Sequence, residues 1–287
     1  MNRRGPSPRH WSLPLLLAAA TTVASLSASV TGRVGLQHDD NVSVSLNHGL
    51  ADAATTAGIA WDHVTMLGRD WQLSTNASLD VDDWWDWNGL DLVAPGARLG
   101  LRRKFGFGPY APSVQLSAGG EYRRRDYAHA SGTDGSLQLT YRQRFTPLVT
   151  ASLDGELERF DARDAVYART GASLRARVDL DFTSAWRLTL TAARREGDVT
   201  SHYRPGESGF GPAWQNPWSG ASATDSLFGS GWIPYRYDAA TSSGGATLSH
   251  ALNRTTTLAA GFDYASTSGK GRTYLNRITS VTLVHAF

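Results

Sequence analysis

An all-β fold, a transmembrane antiparallel up-and-down β-barrel of about twelve strands, is what this sequence predicts, and three observations predict it. Apolar and polar residues alternate with period two in segment after segment. The connections between those segments alternate long and short. The last segment runs to the final residue, and that residue is aromatic, Phe287.

Residues 1–28 stand apart from the rest. Arg3, Arg4 and Arg9 open the stretch, an apolar run follows from Trp11 to Ala24, and Ala24, Ser25, Ser27 and Ala28 close it. A basic start, a short apolar centre and a small-residue exit describe a secretory signal peptide, with cleavage expected between 24 and 29. The apolar run, interrupted by Pro14, falls short of the roughly 20 residues a spanning helix needs. Residues 29–287 are then expected to form a single barrel domain. The leader holds three arginines and no acid, so the 28 basic and 26 acidic residues become 25 and 26 beyond it. The net charge turns from +2 to −1, which removes the case for a nucleic-acid partner. With no cysteine, the chain has no disulfide, thiolate metal site or lipid-bearing terminal thiol. No metal or cofactor is expected.

The alternation is plainest at 71–82. Trp71, Leu73, Thr75, Ala77, Leu79 and Val81 oppose Gln72, Ser74, Asn76, Ser78, Asp80 and Asp82. Successive strand side chains point to opposite faces, so one face is mostly apolar and the other wholly polar. At 168–182, Ala172, Leu174, Ala176, Val178, Leu180 and Phe182 oppose Ser173, Arg175, Arg177, Asp179 and Asp181. Similar segments cover 29–38, 54–67, 91–105, 112–126, 135–145, 148–159, 186–195, 239–252, 256–265 and 273–287. Most are long enough for a tilted strand to cross a bilayer, which takes about 9–11 residues.

The connections supply an independent signal. Residues 68–70, 146–147, 183–185 and 253–255 are short, whereas 39–53, 84–90, 127–134, 160–167 and above all 196–238 are longer. Barrels of this class have short periplasmic turns and longer external loops. Aromatics fall near the strand ends, as interfacial girdles require: Trp71, Phe105, Phe145, Phe182 and Trp186 at the short-turn end, Tyr122, Phe160, Tyr167 and Tyr264 at the other.

The C-terminal strand ITSVTLVHAF carries Val281 and Leu283 on the same face as Phe287. A terminal aromatic closing an alternating strand resembles the signature of Gram-negative outer-membrane β-barrel proteins, in which it belongs to the sorting signal. That resemblance implies a cell outer-membrane location and Phe287 as the sorting residue. It also implies the barrel-assembly machinery as a biogenesis partner, with outer-membrane lipid and lipopolysaccharide around the barrel. His285 stands where an apolar or aromatic residue is more usual in that signature.

Arginines on the polar faces carry the functional expectation. Arg123 and Arg125, Arg142 and Arg144, Arg169, Arg175 and Arg177, and Arg187 and Arg195 fall on consecutive segments. Acids are interleaved at Glu121, Asp154, Glu156, Glu158, Asp179 and Asp181. Neighbouring strands lie about 4.8 Å apart, so these side chains would form one array lining a pore. Guanidinium binds carboxylate and phosphate in a planar fork, which favours small anionic solutes. In size and charge placement the array is similar to the arginine tracks of twelve-stranded porins for acidic oligosaccharides. The alternative is that the same charges pair with one another and fill a closed barrel, leaving function to the external loops. Arginine outnumbers lysine 26 to 2, a bias that genome composition alone can produce.

Two further features lie at the predicted outer rim. The connection 196–238 carries Tyr203, Phe210, Trp214, Trp218, Phe228, Trp232, Tyr235 and Tyr237 among Gly, Ser and Pro, and reads as a lid, a constriction or a binding platform. Acids gather at Asp39-Asp40 and at Asp82, Asp83, Asp86 and Asp91 around Trp84, Trp85 and Trp87. Their spacing matches no calcium loop, and solvated rim charge is the simpler reading. No G-x-S-x-G or H-E-x-x-H motif occurs, and Asp62-His63 are adjacent, so their side chains face opposite sides of a strand. No enzyme is expected. The reading is a passive outer-membrane pore.

Overall fold

A computed structural model describes residues 28–45, 49–204, 226–269 and 272–287. The leader, apart from Ala28, lies outside the described residues, as do Phe210, Trp214 and Trp218. Twelve strands form: β1 Ala28–Asp39, β2 Asp52–Met66, β3 Trp71–Trp84, β4 Leu92–Lys104, β5 Ser113–Arg125, β6 Gly132–Arg144, β7 Val149–Ala162, β8 Arg169–Asp181, β9 Trp186–Tyr203, β10 Ile233–Ala251, β11 Thr256–Gly269 and β12 Arg272–Ala286. Each pairs antiparallel with its chain neighbours, and β1 pairs with β12, so the sheet closes. Closure removes the edges whose bare N–H and C=O groups could not be satisfied in lipid.

Register turns the alternation into two surfaces. Directly opposed residues share a face, so Leu73↔Leu101, Leu101↔Leu116, Leu116↔Leu139 and Leu137↔Leu157 run as one apolar stripe. Leu36, Ile59, Leu79, Leu99, Leu153, Leu174, Leu190, Phe262 and Val281 extend it around the wall, all exposed. An apolar belt facing outward and polar residues facing inward is the inverse of a soluble core. A soluble protein rarely leaves so much contiguous apolar surface uncovered.

The short turns and the outer termini of β1 and β12 share one end, here the turn end, and the long connections share the other, the loop end. Trp71, Phe105, Phe145, Phe182 and Trp186 stand exposed at the turn end, where Arg103 lies 5.4 Å from the Trp71 ring and 5.1 Å from Phe105. Tyr122 and Tyr264 are exposed toward the loop end. Phe160 and Tyr167 depart from the girdle expectation. Phe160 is paired with Arg169 and points inward, and Tyr167 packs with Ala130 and Val166 in the loops. Nearness to a strand end did not reveal which face the ring occupies.

The largest departure is the length of β9 and β10. Residues 196–203, assigned to a loop by the sequence, pair with 233–240. β9 leaves its other neighbour at Gly171↔Gly197, and Gly197 has φ +141°, a conformation side chains resist. A Cβ there would lie 2.6 Å from the Gly171 Cα, so glycine is required twice over. Beyond this point the β9–β10 hairpin folds across the mouth. Ser201 donates to the Val44 carbonyl at 2.6 Å, and the His202 N–H to the Ser43 carbonyl at 3.2 Å.

Three apolar clusters complete a roof at the loop end. Tyr235, Tyr237, Ala239 and Tyr274 form one, Leu90, Phe228 and Trp232 another, and Ala130, Val166 and Tyr167 the third. Several acids at the rim act as fasteners. Asp39 accepts from the Asn41 N–H at 2.8 Å, Asp40 from the Arg277 N–H at 2.7 Å, and Asp52 from the Asp86 and Trp87 N–H groups. Among the described residues no group of three or more His, Cys, Asp or Glu could hold a metal.

Candidate functional site

The inward face of β5 to β9 gathers charge. On β5 the inward face carries Glu121, Arg123 and Arg125; on β6, Asp134, Arg142 and Arg144; on β7, Asp154, Glu156 and Glu158. On β8 it carries Arg169, Arg175, Arg177, Asp179 and Asp181, and on β9 Arg187 and Arg195. Alternation forces this placement: along each strand these residues share the parity opposite to the outward positions, such as Leu116 and Tyr122 of β5, Leu139 and Tyr141 of β6, Leu153 and Leu157 of β7 and Leu174 of β8.

Many of these charges pair. Arg123 bonds Glu121 and reaches Asp134 at 3.0 Å; Arg195 meets Glu158 at 2.6 Å, Arg177 meets Asp179 at 2.9 Å and Arg187 meets Asp181 at 2.6 Å. Three arginines that the sequence reading did not single out join them. Arg33 of β1 pairs with Asp80, and Arg98 of β4 lies 3.9 Å from Glu156 while donating to Gln138 and Ser136. Arg102 of β4 completes the three, with Lys104 two residues beyond. The signal was available: Arg98, Arg102 and Lys104 alternate with Leu99, Leu101 and Arg103, and Arg33 precedes Val34 and Leu36.

Pairing does not make the interior solid. The side chains of Arg33, Arg187, Arg177 and Arg98 retain 54%, 51%, 45% and 38% of their exposure inside the wall. A cavity of about 320 Å³ lies between β3 and β7, bounded by Asn76, Ser78, Arg98, Glu121, Arg123, Asp134 and Glu156. The opposite wall is built of small residues around one acid: Thr241, Ser243, Gly245 and Thr247 of β10 face Thr267, Ala265, Asp263 and Gly261 of β11. Half-exposed ion pairs contribute well under about 1 kcal/mol each, so they shape the field more than they hold the fold.

Toward the loop end the arginines become structural. Arg125 donates to the Leu90 carbonyl at 2.7 Å, tying the wall to the roof. Phe160 lies between the guanidinium groups of Arg123 and Arg169, each 5.5 Å from its ring. Of the loop aromatics, Trp232 and Tyr235 are buried in the roof, and the Tyr235 hydroxyl bonds the Tyr274 hydroxyl and lies 2.9 Å from the Ser201 hydroxyl.

No protein-family model matches the sequence, and no curated protein matches it. Solved structures do match the fold. An outer-membrane channel from Pseudomonas putida F1 superposes with a TM-score of 0.60 over 94% of this chain and 100% of its own, at 10% identity. The fold is that of a closed twelve-strand outer-membrane β-barrel. The porin KdgM covers 89% of this chain and 99% of its own, at 10% identity and a TM-score of 0.43. An anion-selective porin from Comamonas acidovorans covers 91% and 99%, at 9% identity and a TM-score of 0.42.

Proposed function

We propose that the protein is an outer-membrane channel through which small hydrophilic solutes, anions preferentially, diffuse passively. The loop end faces outward from the cell and the turn end faces the periplasm. One observation carries the reading: charged side chains inside the wall stay about half exposed, as they do around water. Guanidinium groups lower the barrier for anions, and the interleaved carboxylates keep each stop weak enough for release. On this reading outer-membrane lipid and lipopolysaccharide surround the barrel, and its function is passage rather than catalysis.

The roof favours a second reading, a closed barrel acting through its outer surface, because three apolar clusters cross the mouth. Planar-bilayer recording separates the two. Purified protein is expected to give discrete conductance steps and an anion-favouring reversal potential in a salt gradient. Silence from the parent and from a roof-opened variant, both folded by heat-modifiable gel migration, would establish the closed barrel instead.

A further inference from the structure

The charges of the lumen are not spread evenly along its axis. On β3 to β7, the inward residues nearest the turn end are Gln72, Ser74, Arg102, Lys104, Ser113, Gln115, Arg142, Arg144, Thr150 and Ser152. Four are cations and none is acidic. The loop-side part of the same five strands is the reverse, with seven inward acids against three arginines. Lys104, Ser113, Arg142 and Ser152 form one cross-strand row. Arg102 lies two residues to one side of that row and Arg144 two residues to the other.

We propose that Arg102, Lys104, Arg142 and Arg144 form a binding site at the turn-end mouth for multivalent oxyanions, molecules bearing two or more phosphate or carboxylate groups. No acid lies within salt-bridge distance of any of them among the described residues, whereas Arg98, Arg123, Arg177, Arg187 and Arg195 each have one. Arg102 and Arg142 are close enough to repel each other. Arg144 is anchored on the Thr146 and Pro147 carbonyls, which fixes its position at the rim. A like-charge group with no internal counter-ion is relieved by an anion from solution. The β4 and β6 cations stand two strand spacings apart, roughly 10 Å, so a ligand with two separated anionic groups engages both sets at once. Hydroxyl and amide donors from Ser113 and Gln115 lie between them.

The inference rests on the channel reading for its purpose, a loading point for anions at the periplasmic mouth. The site itself stands on the charge distribution. Tripolyphosphate titrated into the folded barrel in zwitterionic detergent at low salt, followed by calorimetry, tests it. Saturable binding is expected, weakening steeply with added salt. The double variant R102Q/R142Q is expected to weaken it by at least about tenfold, and K104Q alone by a smaller factor. R254Q, in an exposed turn at the same end, is expected to leave it unchanged. K104Q keeps the test decisive if the double variant does not fold. Absent binding, or equal loss in R254Q, overturns the site. In bilayers, conduction without block by tripolyphosphate added at the turn end also overturns it and leaves the channel standing. A silent barrel that still binds tripolyphosphate overturns the channel and leaves the site.

Discussion

Asp91 closes the 3-10 turn at Asn88–Leu90 and hands the chain to β4. Burial, reinforced by the nearby carboxylates of Asp83, Asp126 and Asp52, pushes its carboxyl up from 3.8 to about 6, against a hydrogen bond from the Trp84 N–H at 2.8 Å. A carboxyl raised in the folded state favours folding while it is neutral. That contribution is complete below the ordinary carboxylate pKa, near 4, and is lost as pH rises through about 6. Amide exchange at 88–90, corrected for its intrinsic pH dependence, is therefore expected to speed up between about pH 4 and 6, the window those two pKa values set, and to level off above it. D91N keeps an oxygen acceptor without the titration and is expected to flatten the profile; an unchanged profile would remove Asp91 as the cause. Phe160 gives a second residue-scale test. It is 6% exposed and holds Arg123 and Arg169 apart. F160A is expected to cost about 3 kcal/mol in denaturant unfolding, in the range for a buried Phe, with F160L recovering part of it.

The β9–β10 hairpin sets the behaviour of the loop end at the scale of the element. Its extension buries Tyr235 and Tyr237 beneath the roof and links Ser201, Tyr235 and Tyr274 by hydroxyl contacts. Truncating Y235A and Y274A together removes two buried aromatics, each worth about 3 kcal/mol, so the roof is expected to spend at least about tenfold more time open. Single-channel open probability reads this directly, and an unaltered gating pattern would show that the roof does not limit flow. The hairpin also marks the limit of what the sequence made legible. Strand existence, face and order follow from period-two patterning, and Arg142, Arg175 and Glu156 lie inward because an outward leucine, alanine or tyrosine flanks them. Residues 196–203 and 233–238 read as loop because above the membrane no lipid imposes an apolar face, and the pattern fades although pairing continues. Phe160 departs from the girdle for a different reason: distance along the strand fixes height only, and the alternation that puts Glu156 and Glu158 inward puts Phe160 inward with them. Pairs along one strand, such as Arg177 with Asp179, can be read from the alternation, whereas Arg98 of β4 meets Glu156 three strands away on β7, and this no local pattern encodes.

For the whole molecule, the decisive event is closure of β12 onto β1. Phe287 sits at that seam: its N–H donates to the Val30 carbonyl at 3.0 Å, and its ring covers Gly32 and meets His285 at 4.8 Å. Yet the residue is 68% exposed, so its ring contributes little burial to the finished barrel. If Phe287 acts as a sorting residue, as the sequence resemblance implies, its role falls before the seam exists, while the last strand is presented to an assembly machinery. Two measurements on a chain lacking Phe287 distinguish these roles. Refolding of purified chain into lipid vesicles, scored by heat-modifiable migration, is expected to reach a yield near that of the parent, because the seam keeps its other β1–β12 pairs. In cells the same deletion is expected to lower outer-membrane accumulation several-fold. Equal loss in vesicles and in cells would make Phe287 a structural clamp, and equal yield in both would remove it from the assembly signal.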